Sequence, residues 1–448
     1  MPQSKTLGSV QQAMERALRP GAFITDQACV SFVQHLDRVA TQIEPLLARG
    51  EAVGAVALYE LFLAACHEKA EEVDDSSGQF GQFVEELYCG WITAREAAGA
   101  DPAETASTLL AWMEEDPYGF CYHLERRAVN VFTPHGLAVF EQTVRRRVEA
   151  GADRTSPAPA RRDAAYAQWR GVEILKTIYA AQGNLEAYRD ICSRGELTPA
   201  DCEIIATLYQ QCGAPEEALG WVDRGLALEA EHQWGMESSG RLPDLRRDVL
   251  RRLGREEEAL ASAWEEFQAH PSTWTYTTLM RFVPAAERER WHAQAMAATY
   301  AGDLDAVLPL WLETKEVDRL LARLRHTDDG ELEALGHHTM EPVATYLAPS
   351  HPDLAARLYR ALGLRILTAK KSKYYAAAIA HFAQAKDCYM RAGREEEWQV
   401  LVTAVRWAHG RKYGFMPGFE RVVEGQPRPP QESFLARAQR RWSRQGHD

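Results

Sequence analysis

The 448-residue sequence lacks the long apolar run of a membrane protein. Its longest such run, residues 52–66, is interrupted by Glu60 and is shorter than the roughly 20 residues that cross a bilayer. The N-terminal segment also lacks the apolar stretch and small-residue cleavage site of a signal peptide. We therefore expect a cytoplasmic protein with no membrane span.

The motifs of familiar enzyme classes are missing as well. There is no Gly-x-Ser-x-Gly or Ser-x-x-Lys nucleophile motif, and no Gly-x-x-x-x-Gly-Lys-Ser/Thr phosphate loop. The eight cysteines contain no Cys-x-x-Cys pair, which favours reduced thiols in the protein core over a disulfide framework. We expect no cofactor, and an enzyme with this sequence would need an unfamiliar active site.

What the sequence does contain is helical periodicity with regularly spaced glycine turns. Apolar residues recur at steps of three and four, for example from Leu245 to Leu253 and from Leu260 to Phe267. Between such stretches, a glycine is followed by acidic or small residues that suit the first turn of a new helix. These turns fall at Gly50, Gly99, His135-Gly136, Gly183, Gly213, Gly254, Gly302, residues 350–353 and Gly393.

The turns recur about every 43 residues, which is typical of helix-pair repeats. The sequence therefore predicts an all-α fold, an α-solenoid of tetratricopeptide-like or HEAT-like helix pairs. Because glycine ends helices in many folds, an irregular all-helical protein is the alternative. We expect an acidic N-terminal helical domain over 1–150, a linker or long loop over 151–162, helical repeats over 163–410 and a Pro-rich basic tail over 411–448.

Two groups of segments resemble known bacterial families. Residues 67–78, 88–91 and 116–120 are similar to an uncharacterised bacterial helical family, a domain of unknown function, and residues 374–419 resemble the helical C-terminal part of SWIM zinc-finger proteins. The resemblance implies a bacterial origin, tetratricopeptide-like helices and no established activity. Cys121 and His123 match the second half of the SWIM zinc motif, but its Cys-x-Cys half is missing, so no such zinc finger is expected.

Negative charge is concentrated in the N-terminal part. From Glu60 to Asp116 there are fourteen acidic residues against Lys69 and Arg95, a net charge of −12, while the whole chain carries −13. Such a surface repels phosphates and attracts a basic partner, although charged runs also serve simply as solvated helix faces. We predict that the acidic face contacts a basic protein segment, and that no nucleic acid binds there. The predicted contact residues are Glu68, Glu71, Asp74, Asp75 and Asp116.

A metal-dependent protein is the main alternative. His67 and Glu71 are four residues apart on one predicted helix, and Asp75 follows at its exit, so an imidazole and carboxylates are candidate metal ligands. Tyr118 and His123 are candidates to assist them. The second histidine of His-Glu-x-x-His is missing, however, and the Asp-Asp-Ser-Ser-Gly sequence also suits a turn in which Asp or Ser caps a helix starting near Gln79.

Two further sets of polar residues lie towards the C-terminus. His337-His338 near Asp328-Asp329 is interpreted as a polar helix segment rather than a ligand set. A basic helix over 433–444 would allow self-assembly, with the tail of one subunit on the acidic face of another; its basic residues are Arg437, Arg440, Arg441 and Arg444. Together these patterns predict a non-catalytic helical-repeat scaffold or adaptor that binds a protein or peptide, with a metal-dependent enzyme and a self-assembling subunit as alternatives.

Overall fold

The fold is all-α, as predicted. The computed structural model describes residues 3–150, 158–231, 240–369 and 372–425. Within these ranges there is no β-strand, and the one extended pairing is a parallel bridge between Ile24 and Val73. The chain forms two compact units, Met1–Leu253 and Gly254–Asp448. In each unit the helices pack mainly on their neighbours in sequence, as in an α-solenoid.

Unit 1 is built from the first thirteen helices of the described residues. They are α1 (Gln3–Ala17), α2 (Asp26–Ala40), α3 (Glu44–Ala48), α4 (Ala52–Lys69), α5 (Gln79–Ala97), α6 (Pro102–Glu114), α7 (Leu124–Ala128), α8 (Pro134–Ala150), α9 (Ala158–Ala181), α10 (Leu185–Ser193), α11 (Pro199–Gln211), α12 (Pro215–Glu231) and α13 (Leu242–Arg252).

The described part of unit 2 contains eleven helices. They are α14 (Glu256–Ala269), α15 (Thr273–Phe282), α16 (Arg288–Ala298), α17 (Leu304–Glu313), α18 (Val317–His326), α19 (Asp329–Ala334), α20 (His337–Leu347), α21 (Pro352–Thr368), α22 (Tyr375–Arg391), α23 (Glu395–His409) and α24 (Met416–Glu424). Short 3₁₀ turns occur at Ala70–Glu72, Ala285–Glu287, Thr299–Ala301 and Ser372–Tyr374.

The predicted glycine turns are mostly confirmed. A left-handed backbone, which only glycine adopts at little cost, follows helix ends at Gly50, Gly99, Gly183, Gly213, Gly254 and Gly393. The break before Pro352 is also present, since α20 ends at Leu347. The acidic first turns of α12, α14 and α23 agree with the same pattern.

Two of the predicted turns are wrong in detail. Gly136 lies inside α8, which already begins at Pro134, and Gly302 has φ −71° rather than a left-handed conformation. At Gly302 a Cβ atom would lie 2.6 Å from Cγ1 of Val307, so the close approach of the next helix, not backbone conformation, requires glycine there.

Glycine also allows two neighbouring helices to pack closely in each unit. A Cβ at Gly90 of α5 would lie 2.5 Å from the ring of Tyr59 on α4. In unit 2, a Cβ at Gly363 of α21 would lie 2.7 Å from the ring of Phe382 on α22. The aromatic ring occupies the space that a larger residue would fill, so the two helices pack closely at each of these points.

The predicted domain boundaries remain a prediction. Residues 151–157 of the predicted linker lie outside the described residues, and 158–162 belong to α9. Most of the predicted tail, residues 426–448 with the basic helix over 433–444, also lies outside them. In the part of the chain that the structure describes, no helix is both long enough and apolar enough to cross a membrane.

Candidate functional site

Two neighbouring loops of unit 1 carry most of the predicted contact residues. The first loop follows α4, where Val73 pairs with Ile24 through hydrogen bonds from Ile24 N to Glu72 O and from Asp74 N to Ile24 O, each 2.8 Å long. The second loop joins α6 to α7 over residues 115–123. We call the surface residues Glu68, Glu71, Asp116 and Tyr118 the acidic-aromatic face.

His67 lies half-buried between these loops. Its Nε2 atom is 2.8 Å from the hydroxyl of Tyr88. Its ring meets that of Phe120 edge to face at a centroid distance of 5.1 Å, and the ring of Tyr118 lies 6.0 Å away. Burial lowers the pKa of His67, and the nearby Asp116 carboxylate opposes this effect. Neutral His67 therefore supports the aromatic packing that joins the two loops.

Glu68 and Glu71 are the exposed acids of the acidic-aromatic face. The hydroxyl of Tyr118 donates a hydrogen bond of 3.4 Å to Oε1 of Glu71. Tyr118 is 41% exposed. A carboxylate beside an accessible aromatic ring suits a lysine or arginine side chain, which is attracted both by the charge and by the ring face.

Asp74 and Asp75 hold the first loop together. The carboxylate of Asp75 accepts hydrogen bonds of 2.8 Å from the backbone N–H groups of Phe80 and Gly81, at the start of α5. Asp74 accepts hydrogen bonds from the backbone and hydroxyl of Ser76, which lower the pKa of Asp74. The interpretation of this segment as a turn that caps a helix starting near Gln79 is therefore confirmed.

Asp116 has a similar role in the second loop. Its carboxylate accepts hydrogen bonds from the backbone N–H of Cys121 at 2.5 Å and from that of Tyr118 at 3.3 Å. Of the five predicted contact residues, Asp74, Asp75 and Asp116 are thus half-buried and used by the backbone. Glu68 and Glu71 have exposed side chains.

Charge pairing separates these residues from five of the nine other acids of the segment 60–116. Lys69 pairs with Glu72, Arg95 with Glu104, Arg127 with Glu85 and Glu86, and Arg147 with Glu114. The surplus of −12 is therefore partly neutralised by arginines that the sequence places outside the segment. In the described ranges, none of the five predicted contact residues forms an ion pair.

The structure does not gather His67, Glu71 and Asp75 into one ligand set. Asp75 caps α5 and His67 binds Tyr88, while His123 is 48% exposed and lies 3.9 Å from Glu125. Among the described residues, the group with metal-ligand spacing lies in unit 2 instead. It contains His337, which the sequence analysis interpreted as part of a polar helix segment.

A cleft of about 540 Å³ in unit 1 was not found from the sequence. It is lined by residues of α10 to α12, including Arg189, Trp221 and Arg224. Both guanidinium groups lie over the Trp221 ring, at 5.7 Å and 5.2 Å from its centroid. The sequence contains twelve tryptophans, and nothing in the residue spacing singles out Trp221 among them.

Solved structures with similar helical chains were found at low identity. A structure of Naa15/Naa10 bound to HypK-THB is 12% identical, with a TM-score of 0.31, over 93% of this chain and 65% of that one. A circular tandem repeat protein is 14% identical, with a TM-score of 0.21, over 94% and 96% of the two chains. The TPR domain of P58(IPK) is 12% identical, with a TM-score of 0.20, over 88% and 97%.

The chain spans less than two thirds of the first of these structures, and all three TM-scores are low. The fold is therefore assigned from the helices of this chain alone. None of the curated proteins matches the sequence. The comparisons give no support to a relation with SWIM zinc-finger proteins, which remains a prediction. Residues 4–417 match a family described as a family of unknown function, DUF6880, and the chain belongs to that family.

Proposed function

We propose that this protein is a non-catalytic helical-repeat scaffold, and that the acidic-aromatic face of unit 1 binds a basic segment of another protein. The observation that carries the proposal is the position of Glu71. Its carboxylate has no cationic partner among the described residues and lies within hydrogen-bond distance of the exposed Tyr118. A lysine or arginine from a partner would supply the missing charge.

The hydrogen bonds that hold the two loops in place support this proposal. Asp75 and Asp116 use their carboxylates to fix the backbone, and the buried Arg170 donates a hydrogen bond of 2.9 Å to the carbonyl of Cys121. The exposed side chains of Glu68 and Tyr118 are therefore presented from an ordered frame. A preorganised surface loses less conformational entropy when a partner binds than a flexible one does.

The negative field around the face supports a basic partner rather than a nucleic acid. Asp74, Asp75 and Asp116 remain uncompensated by nearby cations in the described residues and add to the charge of Glu68 and Glu71. Electrostatic attraction of this kind raises the association rate and weakens with ionic strength. We therefore expect binding that depends strongly on salt.

The test uses a fluorescently labelled peptide that alternates lysine or arginine with apolar residues. Its affinity for the full chain is measured by fluorescence anisotropy, and a matching peptide with glutamate at the basic positions is the ligand control. We expect the double variant Glu68→Lys, Glu71→Lys to weaken binding of the basic peptide at least tenfold. Both side chains are exposed, so the variant is expected to fold like the wild type.

A matched protein control is the double variant Glu265→Lys, Glu289→Lys. Both residues are exposed in unit 2, and together they change the net charge by the same amount. We expect this control to bind the basic peptide with nearly wild-type affinity. Equal losses in both double variants would show that only net charge matters, and would contradict a contact surface in unit 1.

The other predicted roles remain proposals of their own. A metal-dependent protein centred on His67, Glu71 and Asp75 would lose bound metal on substitution of His67, which metal analysis of His67→Ala measures. Self-assembly through the basic tail would be lost in a chain ending at Gly410, which light scattering measures. A cytoplasmic location and a bacterial origin also remain predictions.

A further inference from the structure

A second polar cluster lies in unit 2 and has no part in the acidic-aromatic face. His337 and Glu341 are one turn apart on α20, and His381 lies on α22. Each residue offers one ligand atom, and these three atoms lie within 4.8 Å of one another. Nε2 of His337 is 3.3 Å from Oε2 of Glu341, and the His337 and His381 ring centroids are 5.6 Å apart.

The burial of His381 is the second and independent observation. This residue is 5% exposed, and its Nε2 atom has no hydrogen-bond partner among the residues that the structure describes. Buried polar atoms are nearly always paired, because an unpaired one loses its hydration without compensation. An unpaired imidazole nitrogen beside a second imidazole and a carboxylate lacks the partner that a metal ion would provide.

The surroundings of His381 favour its metal-binding form. Burial lowers the pKa of this residue, although the Glu341 carboxylate opposes the effect. A neutral imidazole offers the lone pair that a metal requires. The ring of Tyr359 stacks on His381 at a centroid distance of 6.3 Å, and the Tyr359 hydroxyl lies 3.2 Å from that of Thr345. These contacts restrict the orientation of the His381 ring.

We propose that His337, Glu341 and His381 form a binding site for a divalent first-row transition-metal ion such as Zn²⁺. Two imidazoles and one carboxylate are a donor set that zinc and its neighbours accept, whereas Mg²⁺ and Ca²⁺ prefer oxygen ligands throughout. Around Zn²⁺ the ligand atoms lie about 3.3–3.5 Å apart, given bonds of about 2.0–2.1 Å. Small side-chain rotations of the half-exposed His337 and Glu341 would bring the three atoms to that spacing.

The exposure of the three residues indicates the kind of site. His337 and Glu341 have side chains that are 44% and 46% exposed, while His381 closes the inner side. Three protein ligands leave at least one coordination position for water or for an added ligand. The site is thus open to exchange, unlike a structural zinc site in which four protein ligands surround the ion.

The test measures Zn²⁺ binding to the full chain after removal of metal with a chelator. A chromophoric chelator competes for the ion, and Co²⁺ in place of Zn²⁺ gives visible absorption bands that report the coordination. We expect one ion per chain and a loss of affinity of at least tenfold in His337→Ala and in Glu341→Gln. Both side chains are half-exposed, so these variants are expected to keep the fold, which circular dichroism checks.

The matched control is His338→Ala, which removes an exposed histidine next to the proposed ligand. We expect its Zn²⁺ affinity and its Co²⁺ spectrum to equal those of the wild type. No stoichiometric ion in the wild type, or equal affinities in wild type, His337→Ala and Glu341→Gln, would overturn the proposal. Binding that survives His337→Ala but is lost in His67→Ala would also overturn it, and would place the metal in unit 1.

Discussion

The two polar clusters differ in how completely their groups are satisfied. In unit 1, Asp75 and Asp116 accept backbone hydrogen bonds and His67 binds Tyr88, so these three ionisable groups are already used by the fold. In unit 2, His381 is almost fully buried, and within the described ranges its Nε2 atom has no partner. The acids and the histidine of the unit 1 cluster stand out in the sequence. The buried nitrogen that lacks a partner, however, belongs to the unit 2 cluster, which does not stand out.

This contrast separates two kinds of binding surface. The acidic-aromatic face has saturated loops with exposed side chains, which suits a macromolecular partner that arrives from solvent. The cluster on α20 and α22 has a buried and unsatisfied nitrogen, which suits a small ion that completes it. Each of the following substitutions changes the hydrogen bonding or the packing of one cluster.

The largest loss of stability is expected when a buried charged group in unit 1 loses its partner. Arg170 and Glu125 form an ion pair of 2.6 Å with side chains 6% and 3% exposed. Glu125→Ala leaves the arginine charge buried without its partner, which costs about 3–5 kcal/mol of the free energy of unfolding. Urea denaturation followed by circular dichroism measures this loss.

Glu68→Ala is the control, because that side chain is exposed and its replacement should change stability by less than about 0.5 kcal/mol. Similar stabilities of the two variants would mean that Arg170 finds another partner. The idea that Glu125 is the partner on which the buried Arg170 depends would then be wrong.

A smaller loss is expected from separating α21 and α22 in unit 2. Gly363→Ala places a methyl group against the ring of Phe382, the residue next to His381. Overpacking of this kind costs about 1–3 kcal/mol, from which the better helix propensity of alanine recovers about 1 kcal/mol. We expect a net loss of stability in urea denaturation and, if the proposed site exists, weaker Zn²⁺ binding.

Gly220→Ala supplies the matched control. Gly220 is exposed in α12, and a Cβ atom there would meet nothing within 4 Å. Alanine should therefore increase the free energy of unfolding by about 0.5–1 kcal/mol. If both substitutions stabilised the protein, the helices around His381 would be less closely packed than the structure indicates.

The third prediction compares Asp75, a carboxylate that caps a helix, with Glu71, a carboxylate that we propose binds the partner. Asp75→Ala removes the acceptor of the Phe80 and Gly81 N–H groups, which typically costs about 1 kcal/mol. Glu71→Ala should leave stability within about 0.5 kcal/mol but weaken binding of the basic peptide. Thermal unfolding and fluorescence anisotropy measure the two properties. Equal effects of the two substitutions on stability would contradict the capping role of Asp75.

The sequence was sufficient for the fold because helix periodicity and left-handed glycine turns are local features. Gly213 and Gly254 end helices wherever the chain continues, so their roles follow from short segments. The capping role of the Asp-Asp-Ser-Ser-Gly segment was predicted for the same reason. The turn at Gly302 is correctly placed before α17, but its left-handed conformation and the turn at Gly136 were wrongly predicted. Side chains packed against these two residues, and not their own backbone, explain why they are glycine.

The candidate sites depended on contacts that the sequence does not specify. The arginines that neutralise part of the acidic segment, Arg127 and Arg147, come from α7 and α8. His337 and His381 meet only because α20 and α22 both pack on α21. In the sequence these two histidines are 44 residues apart, and nothing there links one to the other. Burial of a polar atom, the observation that singles out His381, is visible only in three dimensions.

The smallest effect is expected from the titration of His67. Its pKa is lowered in the folded state, so the unfolded chain binds a proton more readily near the ordinary histidine pKa of about 6.5. The free energy of unfolding therefore falls as the pH drops through that value. The Asp116 carboxylate opposes the effect of burial and keeps the change modest, while Tyr88 and Tyr118 stay neutral in this range.

The variant His67→Gln removes this titration while keeping a side chain that can bind the Tyr88 hydroxyl. Urea denaturation of both proteins at pH 7.5 and 5.5 gives the difference in pH dependence. We expect the wild type to lose more stability than His67→Gln on acidification, because only the wild type has to exclude a proton from the half-buried ring. An equal pH dependence would indicate that His67 is already as free to protonate as an exposed histidine. The contrast between the hydrogen-bonded loops around His67 and the incompletely paired cluster on α20 and α22 would then lose one of its supports.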